Sequence, residues 1–178
     1  MKNILIGVTG SIACYKALEI VNQLSKDGYN VNVVMTNSAT KFVTPLSFET
    51  LSSNTVVTEM FSLDGHEKVE HIELAKQADI FVIAPASANI IGKVANGIAD
   101  DMLSTIALSV NCKTLIFPAM NTRMLQNSIV QDNMAKLRRF GYNVYSTGSG
   151  ELACGDIGDG KLLPWDEIVD IIKSEIND

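Results

Sequence analysis

The 178-residue chain is poor in charge, in cysteine and in histidine. Charged residues make up 19% of it, below the quarter or so usual in a globular domain. Lys and Arg number 14 against 20 Asp and Glu, a net charge of −6. A chain so short of positive charge is not built to follow a nucleic-acid backbone. The three cysteines, Cys14, Cys112 and Cys154, are odd in number and have no zinc-ligand or redox-pair spacing. That argues against a disulfide framework and for a reducing cytoplasm. No apolar run approaches the ~20 residues of a membrane span, and the run after Met1 is too short for a signal peptide. The two histidines, His66 and His71, would lie about 140° apart on a helix at ~100° per residue, so they share no metal. Repeats and low-complexity tracts are missing too. What is present is 47% hydrophobic residues, enough to bury a core and offset ordering entropy. So little surface charge also fits a subunit partly covered by copies of itself.

Short apolar runs of β type alternate with helical patterns along most of the chain. Asn3–Val8, Asn30–Met35, Ile80–Ala84, Lys113–Phe117 and Asn143–Tyr145 read as strands, with Thr55–Thr58 a further short one. Ile12 to Asp27, Pro45 to Leu51, Val69 to Gln77, Ser87 to Ala95, Asp101 to Val110, Ser128 to Phe140 and Pro164 to Ile176 read as helices. Gly28 and Gly141 stand where C-terminal caps belong, and Thr44-Pro45 where a helix opens. Ile80–Ala84 is apolar throughout, as in a strand covered on both faces. The expected fold is α/β: one domain over 1–178, Rossmann-like and three-layered, with a mostly parallel sheet and helices on both faces.

Ligands of such sheets sit beyond the carboxyl ends of the strands, so the segments that follow strands matter most. Gly7-Val8-Thr9-Gly10-Ser11-Ile12-Ala13 is a small-residue turn running into a helix, whose free N–H groups favour an anion. It matches neither G-x-G-x-x-G nor a P-loop. Thr36-Asn37-Ser38-Ala39-Thr40 follows the second strand, where a dinucleotide fold would place Asp or Glu against a ribose. Hydroxyls and an amide there suit a phosphate instead. A mononucleotide is favoured over NAD, with a plain tight turn as the alternative. In Pro85-Ala86-Ser87-Ala88-Asn89, Ser87 can cap the next helix while small residues let a flat ring approach. Asn121, in Pro118-Ala119-Met120-Asn121, offers donors and an acceptor at the sheet mouth, or caps a helix.

His71 opens a helical turn and is either a general base or a structural histidine. Residues 148–161 hold five glycines and exceed the usual connection, so a lid is expected. Cys154 lies within it, near Lys161, either as a proton donor or thiolate or as an incidental thiol of a mobile loop. Cys14 and Cys112 read as small core residues.

Together these segments resemble the homo-oligomeric flavin-containing cysteine decarboxylases. Pro85-Ala86-Ser87-Ala88-Asn89 is similar to the family's P-A-S-A-N-T motif, with Ile90 at the Thr. Pro118-Ala119-Met120-Asn121-Thr122-Arg123-Met124 is similar to its P-x-M-N-x-x-M-W motif, with Leu125 at the Trp. Ala153-Cys154-Gly155 and the glycines after it resemble the substrate-recognition clamp, whose closing Arg is here Lys161. The likeness runs from Gly7 to the clamp and is nearest to the coenzyme A branch. It implies FMN, with its phosphate at Gly10, Ser11 and Ile12 and around Thr36 and Ser38. It sets Ser87, Ala88, Asn89 and Met120 near the flavin. By the same resemblance His71 is the catalytic base, Asn121, Ala153 and Lys161 contact substrate, and Cys154 reduces the intermediate. It also implies self-association as a trimer or a dodecamer of trimers, with His71 and the phosphate loop from different subunits.

The implied activity is decarboxylation of 4'-phosphopantothenoylcysteine to 4'-phosphopantetheine in coenzyme A biosynthesis. A separate synthetase protein would act upstream, since 178 residues leave no room for one. The chemistry suits these residue types. An amino-acid carboxylate leaves only if its electrons have a sink, and oxidising the cysteine thiol to a thioaldehyde supplies one. The flavin takes the hydride, since no side chain can. Loss of CO2 leaves an enethiol, which this branch reduces again. A peptidyl-cysteine decarboxylase of lantibiotic maturation stops at the enethiol and has no need of Cys154. A non-catalytic FMN-binding regulatory protein usually carries long acidic extensions, and a flavin prenyltransferase would lack the Pro85–Asn89 segment and the clamp.

Overall fold

The computed structural model describes residues 1–60, 70–151, 155 and 157–177. The chain runs β1 (Asn3–Val8), α1 (Lys16–Lys26), β2 (Asn30–Met35), α2 (Pro45–Ser52), α3 (Glu70–Gln77), β3 (Ile80–Ala86), α4 (Ala88–Ala95), α5 (Met102–Ser109) and β4 (Lys113–Pro118). Then come α6 (Thr122–Gln126), α7 (Ser128–Arg139), β5 (Asn143–Val144), β6 (Gly148–Glu151), β7 (Ile157–Lys161) and α8 (Trp165–Asn177). Strands β1 to β5 form a parallel sheet in the order β2-β1-β3-β4-β5. The expected α/β arrangement is the observed one.

Alternation along the strands sorts the core into two layers. Ile4, Ile6 and Val8 of β1, with Val31, Val33, Leu115 and Phe117, face α1 and α8 through Ile20, Leu24, Ile168 and Ile172. Leu5, Phe81, Ile83 and Ile116 face α4, α5 and α7 through Ile90, Ile91, Leu103, Ile106 and Leu137. Each such buried side chain contributes about 1.5–3 kcal/mol. Gly7 falls on the second face, and a Cβ there would strike the Leu103 side chain. The missing side chain lets α5 lie close against β1. The order reverses between β1 and β3, so a crevice opens between their carboxyl ends.

Four local expectations change. The helix expected from Ile12 starts as a 3-10 turn at Ile12–Tyr15, because the Ser11 hydroxyl accepts from the Ala13 amide at 3.3 Å. Thr55–Thr58 is no strand. Only Val57 pairs, donating to the Val33 carbonyl at 3.1 Å and accepting from the Met35 amide at 2.9 Å. The short α6 is unforeseen. The expected lid contains the antiparallel pair β6 and β7. Glycine-rich strands show no polar–apolar alternation, so periodicity reads them as loop. Among the described residues no helix is long and apolar enough to cross a membrane.

Candidate functional site

A cleft of about 620 Å³ lies at the crevice between β1 and β3 and reaches β4. The loop after β1 supplies Gly10, Ser11, Ile12 and Ala13, and the loop after β3 supplies Ser87 and Ala88. The loop after β4 adds Ala119, Met120 and Asn121, and the hairpin adds Glu151, Gly160 and Lys161. This is the size of pocket that holds a cofactor.

Each wall is held by identifiable bonds. Gly10 packs against Ser38, and a Cβ on Gly10 would collide with the Ser38 side chain. The Ser38 loop is itself fixed, since the Thr36 amide donates to the Val8 carbonyl at 3.0 Å and Thr36 Oγ1 accepts from the Ala39 amide at 3.2 Å. Ser87 caps α4, its hydroxyl accepting from the Ile90 amide at 3.4 Å. Thr9, 1% exposed, donates its hydroxyl to the Pro85 carbonyl at 2.6 Å and accepts from the Ser87 amide at 3.0 Å. Asn121 caps α6, Oδ1 accepting from the Arg123 and Met124 amides at 2.8 and 3.4 Å.

The hairpin is docked on the segment that leads into α6. The Met120 amide donates to the Gly160 carbonyl at 2.9 Å, and Thr122 Oγ1 to the Asp159 carbonyl at 2.6 Å. The Gly160 amide donates to Thr147 Oγ1 at 3.1 Å. At Gly160, φ is +117°, and a Cβ would run into the Met120 carbonyl oxygen. This contact sets how closely β7 covers the cleft.

The cleft carries local positive charge despite the acidic chain. Burial lowers the pKa of Lys16, and the charge of Lys161 lowers it further. Among the described residues, the ion pairs are made by Lys93, Lys113 and Lys173, not by Lys16 or Lys161. Two ammonium groups against the one carboxylate of Glu151, beside a turn of backbone N–H donors, suit an anionic group. Behind the cleft, burial pushes the Cys14 thiol up, which fits its expected core role. Cys112 is only half-buried, packed at the margin of the second core layer, and burial raises its thiol too.

Of the residues expected at a site, Gly10, Ser11, Ile12, Ser87, Ala88, Met120, Asn121 and Lys161 meet in this one cleft. Thr36 and Ser38 do not line it. They stand behind Gly10. Asn89 is exposed on the first turn of α4, also off the lining. His71, half-buried on the first turn of α3, is not among the residues lining the cleft of its own chain. Ala153, Cys154 and His66 lie outside the described residues. Sequence reading missed Thr9, Tyr15, Lys16, Met124 and Glu151. The signal for Lys16 was helical spacing: it stands one turn past Ser11 to Ala13. Thr9 gave none, since its partners are 76 and 78 residues away.

A cleft at the switch point of a sheet ordered 2-1-3-4-5, walled by small residues and backbone donors, places the chain among α/β proteins whose ligand site lies beyond the carboxyl ends of the strands. The flavoprotein family model matches residues 1–177, and the chain belongs to that family. Flavin is the cofactor class that this membership carries. The chain is 45% identical over 177 residues to a probable phosphopantothenoylcysteine decarboxylase of Streptococcus mutans, covering 98% of this chain and 99% of that one. It is also 45% identical over 176 residues to the coenzyme A biosynthesis bifunctional protein CoaBC of Borreliella burgdorferi, covering 99% of this chain but only 45% of that longer protein. Among solved structures, a cysteine-to-serine mutant of PPC decarboxylase complexed with pantothenoylaminoethenethiol superposes with a TM-score of 0.88 at 27% identity, over 99% of both chains. The FMN-dependent cysteine decarboxylase SpaF superposes with a TM-score of 0.83 at 30% identity, over 99% of this chain and 96% of that one.

Proposed function

We propose that the protein is an FMN-dependent decarboxylase that converts 4'-phosphopantothenoylcysteine to 4'-phosphopantetheine. The observation that carries this reading is the 45% identity, end to end, with a stand-alone probable decarboxylase of that substrate.

The residues present fit FMN. Bare of a side chain, Gly10 packs directly on Ser38, so the turn lies close on the Thr36–Ser38 loop and lines the cleft with backbone. Gly10, Ser11 and Ile12 would hold the phosphate, backed by the loop of Thr36 and Ser38. Ser87, Ala88 and Met120 would flank the ring, with Asn89 beside them on α4. When bound, FMN supplies the two-electron acceptor and donor that no side chain provides.

The chain's own residues do the rest. Asn121 binds the substrate carboxylate. Its Oδ1 accepts from the Arg123 and Met124 amides, which orient this uncharged side chain at the cleft. A neutral donor does not favour retaining the carboxylate as a cation would. Lys161 and Ala153 close over the substrate from the clamp, residues 148–161. Lys161 keeps the charge of the family's Arg without its bidentate fork. His71 accepts the thiol proton during oxidation, and the Cys154 thiol donates a proton to the substrate carbon during the final reduction. Because His71 is off the cleft of its own chain, it would reach a neighbouring copy's cleft in a trimer or a dodecamer of trimers. The site of action would be the cytoplasm.

The test is direct. The purified protein is expected to be yellow and to release CO2 from 4'-phosphopantothenoylcysteine. Cys154→Ser is expected to release CO2 yet yield a product two hydrogens short of 4'-phosphopantetheine by mass spectrometry. A protein that cannot be reconstituted with FMN sinks the reading, and full turnover by Cys154→Ser sinks the role of the thiol.

A further inference from the structure

We infer that Thr9 is a positioning residue that holds the two walls of the cofactor cleft in register. The inference rests on the FMN reading above and goes beyond it. The β1–β3 ladder pairs Ile4 with Ile80 and ends at Gly7 with Ile83. Two residues further along β3 stands Pro85, which has no amide hydrogen, so backbone pairing cannot continue. On the other side of β3 the register with β4 shifts between Ile83 and Ala86. At this break the Thr9 hydroxyl replaces the ladder. It donates to the Pro85 carbonyl at 2.6 Å and accepts from the Ser87 amide at 3.0 Å. Only a hydroxyl on a short side chain serves both partners at once. The site is dry, with Thr9 1% exposed, so an isosteric valine would strand a buried carbonyl and a partly buried amide.

The consequence lies in what the bonds connect. Thr9 is followed by Gly10, locked against Ser38, and then by Ser11. Ser87 and Ala88 lie across the cleft. One hydroxyl therefore sets the spacing between the wall suited to a phosphate and the wall suited to a flat ring. A ligand that engages both walls depends on that spacing. A ligand that engages only the ring wall does not.

FMN and riboflavin, which differ by the phosphate alone, are the probes. Their dissociation constants are measured by flavin fluorescence for the apo forms of the wild type, Thr9→Val, Thr9→Ser and Thr114→Val. Thr114 is a buried threonine on β4 away from the cleft, so its variant controls for loss of a core hydroxyl. Thr9→Val is expected to weaken FMN about tenfold and to lower the riboflavin-to-FMN ratio of dissociation constants about threefold or more. Thr9→Ser and Thr114→Val are expected to keep the wild-type ratio. An unchanged ratio in folded Thr9→Val, or an equal fall in Thr114→Val, overturns the inference. If Thr9→Val does not fold, amide hydrogen exchange of the wild type decides, because the Ser87 amide must be protected and free exchange there overturns the inference equally. A wild type that fails to bind FMN overturns the proposed function itself, in a separate arm of the same titration.

Discussion

Gly160→Ala is expected to undock the hairpin while leaving the sheet intact. A two-stranded ribbon is marginal by itself, so β6 and β7 stay in place by what they bond to. The docking bonds are Met120 N–H to the Gly160 carbonyl and Thr122 Oγ1 to the Asp159 carbonyl. At about 0.5–1.5 kcal/mol each, two such bonds are worth about 1–3 kcal/mol. An alanine held at φ +117° costs about 1–3 kcal/mol, and its Cβ must push the Met120 carbonyl away, which loosens the adjoining bond. The strain is therefore enough to cancel the whole docking energy of about 1–3 kcal/mol. Amide exchange at Met120 and along β7 should quicken roughly fivefold to about 150-fold. Sheet amides such as Ile6 and Val82 should keep their protection, because no ladder bond passes through the hairpin. Gly155→Ala is the control. Its φ is +85° but among the described residues nothing lies within 4 Å of a Cβ, so it feels the backbone cost without that clash. Equal exchange rates at Met120 in Gly160→Ala and wild type would refute the reasoning, as would an equal effect from Gly155→Ala.

Gly7→Ala should destabilise the fold by about 1–3 kcal/mol in urea unfolding through the clash with Leu103, and Leu103→Ala by about 2–5 kcal/mol through a cavity. Combined, they should cost less than their separate effects, and strict additivity would count against the contact. Burial alone would raise the Asp101 carboxyl, but bonds from Lys93 and from Ser104 outweigh it, and its pKa is lowered. The resulting stability is present above the ordinary carboxylate pKa of about 4 and is lost as pH falls through the lower folded value. Asp101→Asn should thus flatten the acid limb of a urea-midpoint profile, and an unchanged limb would contradict the assignment. His71→Asn should retain FMN yet lose substrate oxidation in single-turnover absorbance, with normal flavin bleaching as the adverse result.

The layers and the order of elements were legible because alternation and helical spacing are local. Ile80–Ala84 could only be a strand buried on both faces, and Gly28 and Gly141 ended helices where a positive φ was needed. The loops of the cleft were legible for the same reason, since each follows a strand whose end is visible in the chain. His71, Asn121 and Lys161 drew notice as chemical types at such places. Asn121 combines both readings it offered, helix cap and cleft residue.

What composition and spacing could not contain was any bond between distant segments. β6 and β7 have no apolar rhythm. They are strands because they pair with each other and dock on Met120 and Thr122. Thr9 is one hydroxyl among many in the chain until the sheet brings Pro85 and Ser87 beside it. Lys16 reads as an ordinary helix residue until β7 delivers Lys161 into the same cleft. Local chain chemistry determined the five strands of the sheet and the long helices around it. The strand order alone decided which loops became neighbours, because that order follows from burying both faces of the sheet at once.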